Sequence, residues 1–217
     1  MKPKLVIFDL DGTVLDTLED LLDALNHSLG ENGYAPHTLS EMRTFVGSGL
    51  YMMALRALPL YTRKETVDKV FDGFKSYYAA HLNIKTRPFP GICDMLGRLK
   101  AQGIRTGIVS NKFEAGAKAL TDAHFGELVD MTVGEREGMG KKPDPAGTKL
   151  IMQKIGASES ETLYVGDSDV DVKTAHNAGL KCICVSWGSR SVKQLTDAGA
   201  DKIVYTVNEL EAAFCID

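Results

Sequence analysis

No apolar run in this 217-residue chain approaches the ~20 residues that a membrane-spanning helix needs. After Met1-Lys2-Pro3-Lys4 the apolar stretch Leu5–Leu10 is short and interrupted by Asp9, so no secretory leader is expected and the reading is cytoplasmic. Positive charge is not in excess. The chain has 25 Lys and Arg against 29 Asp and Glu, a net charge of −4, which speaks against a nucleic-acid partner. Cys93, Cys182, Cys184 and Cys215 form no CxxC pair, and a chain of this size builds a core without disulfides, so reduced thiols are expected. His27, His37, His81, His124 and His176 stand in neither HxH nor HExxH spacing, so none is expected to hold a metal. The 7 prolines and 21 glycines are scattered, which excludes collagen-like and linker-like chains, and there is no internal repeat or low-complexity tract.

What is there reads as an ordinary globular chain, 44% hydrophobic and 25% charged. Short apolar, β-branched runs recur at 5–8, 106–109, 131–133, 163–165, 183–185 and 203–205, as strands buried on both faces should. Amphipathic stretches lie between them; one has Ile92, Met95, Leu96 and Leu99, and another runs from about Asp169 to a stop at Gly179. Strands alternating with helices imply parallel βαβ units in an α/β, doubly wound sheet. Residues 16–84 break the rhythm. Leu18, Leu21, Leu22, Leu25 and Leu29 share one helical face, and Val67, Val70, Phe71, Phe74 and Tyr78 another. Asp16 or Thr17 is expected to cap the first of these helices. The expectation is an all-helical domain over 16–84 inserted into a Rossmann-like core of 1–15 and 85–217.

Four polar segments fall at or near predicted strand ends: Asp9-Leu10-Asp11-Gly12-Thr13, Ser110-Asn111-Lys112, Lys142-Pro143, and Gly166-Asp167-Ser168 with Asp171. In open parallel sheets ligands bind beyond the carboxyl ends of the strands, so the four are expected to converge. Asp9 and Asp11, two apart, face the same way on a continuing strand, and Gly12 permits a tight turn after them. At about 4 Å and an effective dielectric of about 20, a like-charge pair costs about 4 kcal/mol. Asp167 adds a third charge and Asp171 a fourth, so a hard divalent cation is implied. All-oxygen ligation suits Mg²⁺, which shares its shell with a phosphate. Ser110 and Asn111 offer a hydroxyl and an amide to phosphate oxygens, and Lys142 offers the counter-charge that an anion needs near carboxylates.

The four segments together resemble the Mg²⁺-dependent phosphatase branch of the haloacid dehalogenase superfamily. The resemblance covers essentially the whole chain and implies a Rossmann-like core with a helical cap. It further implies that Asp9 is the nucleophile, forming an aspartyl-phosphate, and that Asp11 is the general acid and base. Mg²⁺ would be held by Asp9, by the backbone carbonyl of Asp11 and by Asp167, with Asp171 in the outer shell. Ser110, Asn111 and Lys142 would grip the phosphoryl group. Arg43-Thr44-Phe45-Val46-Gly47-Ser48-Gly49 and Ser110-Asn111-Lys112 resemble segments of phosphoglycolate phosphatases. Gly47, Ser48 and Gly49 are therefore candidates for substrate selection, with an ordinary helix–helix turn as the other reading. Lys112 is either a contact for a substrate carboxylate or a solvated lysine. Trp187 is read as packing, with a place near the crevice as the alternative. The expected substrate is a small phosphorylated metabolite such as 2-phosphoglycolate, and the expected assembly is a monomer or homodimer. A sugar phosphomutase resembling β-phosphoglucomutase, a pyrophosphatase, and a non-enzymatic receiver-like domain phosphorylated on Asp9 are the alternatives.

Overall fold

The structure, a computed structural model, describes residues 2–214; Cys215 lies outside them. In chain order the elements are β1 (Leu5–Phe8), β2 (Leu15–Asp16), α1 (Leu18–Glu31), α2 (Leu39–Phe45), α3 (Leu50–Ala57), α4 (Lys64–His81), β3 (Arg87–Pro88) and α5 (Ile92–Ala101). There follow β4 (Arg105–Phe113), α6 (Glu114–His124), β5 (Met131–Glu135), α7 (Ala146–Ile155), β6 (Thr162–Gly166), α8 (Asp169–Asn177), β7 (Cys182–Val185), α9 (Val192–Asp197), β8 (Lys202–Val204) and α10 (Val207–Ala213). These elements form two compact units, one from the residues up to Leu15 and from Pro88 on, the other from Asp16–Arg87. No helix among the described residues is long and apolar enough to cross a membrane.

The first unit is built on a six-stranded sheet of order β5-β4-β1-β6-β7-β8, every neighbouring pair parallel. β1 is central: Leu5 pairs with Arg105 on one side and Thr162 on the other. The α/β doubly wound reading holds, and for the expected reason. β1, β6 and β7 are buried along their whole length, because helices cover both faces of a parallel sheet. β4 departs from expectation by running on through Ser110–Phe113. Its register against β5 shifts between Val109 and Phe113. Such an irregularity re-aims side chains at a strand end, and apolar periodicity cannot reveal it because the residues involved are Ser, Asn and Lys.

The second unit is helical. α1 packs on α4, with Leu21, Leu25 and Leu29 buried on α1 and Val67, Val70, Phe74 and Tyr78 on α4. The buried Ser28 hydroxyl donates to the Val70 carbonyl at 2.7 Å. Gly73 lets the helices approach, since a Cβ there would stand 2.6 Å from Ser28 Oγ. The capping expectation is corrected: Thr17 occupies the N-cap position of α1, but its side chain makes no capping bond. Asp20 has a role no periodicity shows. Its buried carboxylate accepts from the amides of Ile84, Lys85 and Thr86 at 2.8–3.0 Å and from the Thr86 hydroxyl at 2.8 Å.

Candidate active site

Parallel strands all leave the sheet at one edge, and the polar segments gather there. The Asp9 amide donates to the Val165 carbonyl at 2.8 Å, continuing the ladder past β1. Lys142 arrives from the loop before α7, with a cis bond to Pro143. Its Nζ, almost fully buried, lies 2.6 Å from Asp9 Oδ1 and 2.7 Å from Asp171 Oδ1. Burial opposes the lysine's charge, but Asp171 and Asp9 overcome it and hold the ammonium well above its ordinary pKa. Burial, followed by the charge on Asp171, pushes the Asp9 carboxyl well up, and Lys142 pulls against that.

Asp171 is the hub of the site. It sits in the first turn of α8, where Ser168 and Asp171 form a capping box. Its Oδ2 accepts from Ser168 Oγ at 2.6 Å and from the amides of Ser168 and Asp167 at 3.1 and 3.2 Å. Its Oδ1 accepts from Lys142 at 2.7 Å and from the Tyr164 hydroxyl at 3.4 Å. Gly166 is required here: an added Cβ would collide with the Asp171 side chain.

Asp167 accepts from the amide and the hydroxyl of Ser189 at 2.6 and 2.7 Å, both on Oδ2. Burial and then Asp171 push its carboxyl up to about 6, against the pull of these Ser189 bonds. Gly12 turns beside it with φ +85°, and a Cβ there would stand 2.6 Å from Asp167 Oδ2.

The ligand oxygens of Asp9, Asp167 and Asp171 lie within 4.8 Å of one another. Three buried carboxylates face one ammonium, all the donors are hard oxygens, and the Ser189 bonds to Asp167 spare Oδ1. That donor set fits a hard divalent cation. The Asp11 side chain is not among the three. Its Oδ1 pairs with Lys112 Nζ at 2.9 Å, and the lysine side chain is only 1% exposed, so Lys112 is not a solvated residue. Ser110 Oγ accepts from the Lys112 amide at 3.1 Å, and Asn111 Nδ2 donates to the Lys142 carbonyl at 3.1 Å. The Asn111 amide thus holds the loop that carries Lys142.

Gly47, Ser48 and Gly49 lie in the helical unit, between α2 and α3. Gly47 and Gly49 have φ +112° and +87°. Arg56 braces the turn, donating to the Phe45 carbonyl at 2.7 Å and to Ser48 Oγ at 3.1 Å. Sequence reasoning assigned nothing to Arg56, Ser189 or Tyr164. Ser189 had one signal, its place just after a strand end and beside Gly188, where a Cβ would strike Asp167. Tyr164 had another, a hydroxyl within the otherwise apolar run 163–165. Trp187 is half-buried; its Nε1 donates to the Thr13 carbonyl at 3.1 Å.

Residues 6–185 match the family described as haloacid dehalogenase-like hydrolase. A phosphoglycolate phosphatase of Mesorhizobium japonicum is 34% identical over 196 residues, 87% of this chain and 85% of that protein. One from Rhodospirillum rubrum is 35% identical over 194 residues, 86% and 80% of the two chains. A crystal structure of a candidate phosphoglycolate phosphatase from Lactobacillus delbrueckii subsp. bulgaricus superposes with a TM-score of 0.95 at 35% identity, covering 99% of both chains. With its carboxylate-and-lysine cluster at the carboxyl edge of a parallel sheet, the chain belongs to the haloacid dehalogenase-like hydrolase family and is a phosphatase.

Proposed function

We propose that the protein hydrolyses a small phosphomonoester, with 2-phosphoglycolate as its substrate, through an aspartyl-phosphate on Asp9. The observation that carries the reading is the buried grouping of Asp9, Asp167 and Asp171, with the Lys142 ammonium between Asp9 and Asp171. The substrate is suggested by the relatives of that name.

Asp9 Oδ attacks phosphorus in line with the ester oxygen; the P–O bond to the alcohol breaks, and Asp11 gives that oxygen a proton. Asp11 then takes a proton from a water whose oxygen attacks phosphorus. The bond to Asp9 breaks, and inorganic phosphate leaves. Lys142 offers its positive charge to the phosphoryl oxygens, and Ser110 and Asn111 line the approach. Mg²⁺ would be held by the Asp9 and Asp167 carboxylates and the Asp11 carbonyl, with Asp171 behind them. When bound it offsets the negative charge of carboxylates and phosphoryl oxygens. We assign substrate selection to Gly47, Ser48 and Gly49, on the support of their positive-φ turn and its Arg56 brace.

The test is phosphate release with Mg²⁺ across 2-phosphoglycolate, sugar phosphates, nucleotides and pyrophosphate, with sugar products checked for isomerisation. We expect 2-phosphoglycolate to give the highest kcat/KM and Asp9→Asn to abolish turnover. Undiminished turnover in Asp9→Asn would sink the nucleophile assignment, and a preference for pyrophosphate would sink the substrate assignment.

A further inference from the structure

Lys112 is a buried cation with a specific partner. It comes from the irregular end of β4, the strand next to β1, and its Nζ reaches Asp11 Oδ1 at 2.9 Å. An ammonium is costly to bury, and a lysine side chain that is 1% exposed is retained only where a charge meets it. Lys142 already supplies the cation between Asp9 and Asp171. The second buried lysine therefore does something else.

We infer that Lys112 is a positioning residue that orients the Asp11 carboxylate for both proton transfers, and is not a contact for the substrate. The inference rests on the role of Asp11 proposed above. Asp11 stands just past β1 beside the Gly12 turn, where a carboxylate on a single-bonded arm has several rotamers open to it. One charge-assisted bond from a lysine anchored in the neighbouring strand selects among them. Orientation matters because a small misplacement of a reacting group costs large factors in rate. The Lys112 amide bond to Ser110 Oγ anchors the backbone from which the side chain springs.

The test compares wild type, Lys112→Met and Asp11→Asn on three esters. These are 2-phosphoglycolate, the size-matched 2-hydroxyethyl phosphate without a carboxylate, and p-nitrophenyl phosphate, whose leaving group departs without a proton. Lys112→Met should lose about 10²-fold in kcat/KM on both alkyl esters, the lower end of what general acid catalysis supplies. On p-nitrophenyl phosphate kcat/KM should stay within about 3-fold, because the acid is idle in that step. On that ester kcat and KM should fall together, and a burst of nitrophenolate should appear as water attack becomes limiting. Ratios between substrates cancel the amount of folded enzyme, so a poorly folding variant still gives an answer. Equal losses on all three esters would overturn the inference. So would a loss confined to 2-phosphoglycolate, which marks a direct carboxylate contact. If Asp11→Asn shows the alkyl-selective loss and Lys112→Met does not, this inference alone falls. If Asp11→Asn lacks it too, the acid assignment falls with it.

Discussion

Asp171 exposes no surface, yet it accepts five hydrogen bonds from Lys142, Tyr164, Ser168 and the Asp167 amide. Those bonds keep a charge inside the protein, and the charge in turn shapes its neighbours. Asp167, with donors on only one oxygen, has its carboxyl pushed from the ordinary 3.8 to about 6, first by burial and then by Asp171. The folded state therefore binds this proton more tightly than the unfolded chain does. The stability this adds is complete below about pH 4 and is lost as pH rises through about 6. A shift of that size corresponds to at most about 3 kcal/mol. In metal-free protein, Asp167→Asn should raise Tm at pH 8, and the gain should vanish near pH 4. Melting curves at the two pH values check it, and an equal gain at both would refute it.

At the scale of elements, the site depends on how strands end. β4 continues past its apolar run, and the register shift before Phe113 sets Ser110, Asn111 and Lys112 on an irregular edge. α8 begins with a capping box whose acid is Asp171, so one side chain both caps the start of a helix and holds Lys142. In the helical unit the comparable device is Asp20, whose carboxylate gathers the amides of 84–86. Removing it leaves the buried Thr86 amide and the half-buried amides of Ile84 and Lys85 without that acceptor, and a buried one costs about 1–3 kcal/mol. Asp20→Ala should destabilise that unit by about 3 kcal/mol, read as earlier urea unfolding or faster proteolysis within 16–87. Unchanged unfolding would show that water replaces the carboxylate at no cost. The strand segments and the helical faces were legible beforehand because they are written in local periodicity. The Asp20 contact was not, because it joins residues more than sixty positions apart.

For the whole molecule, burying Asp9, Asp167 and Asp171 together with a single ammonium between two of them makes cation binding and stability one problem. A cation that binds only the folded state stabilises it by about 2.7 kcal/mol at a hundred times its Kd. For a chain of this size that is about 5–10 °C in Tm. Mg²⁺ should raise Tm by that order at pH 8, and EDTA should abolish the rise. Because the carboxylates must be ionised to ligate, the gain should shrink as pH falls below about 6. A Mg²⁺ effect of equal size at pH 5 and pH 8 would count against carboxylate ligation.

Residue type and order along the chain determined the parallel α/β core, the helical run and the four polar segments, since each is encoded within a few consecutive residues. Only the tertiary structure decided who partners whom. It turned Asp11 toward Lys112, set Asn111 on the Lys142 carbonyl, and closed Ser189 over Asp167 from 22 residues away. Those pairings depend on strand register and on which loops meet at the sheet edge. Burial, which makes each unmet charge or amide costly, selects them after the chain has packed.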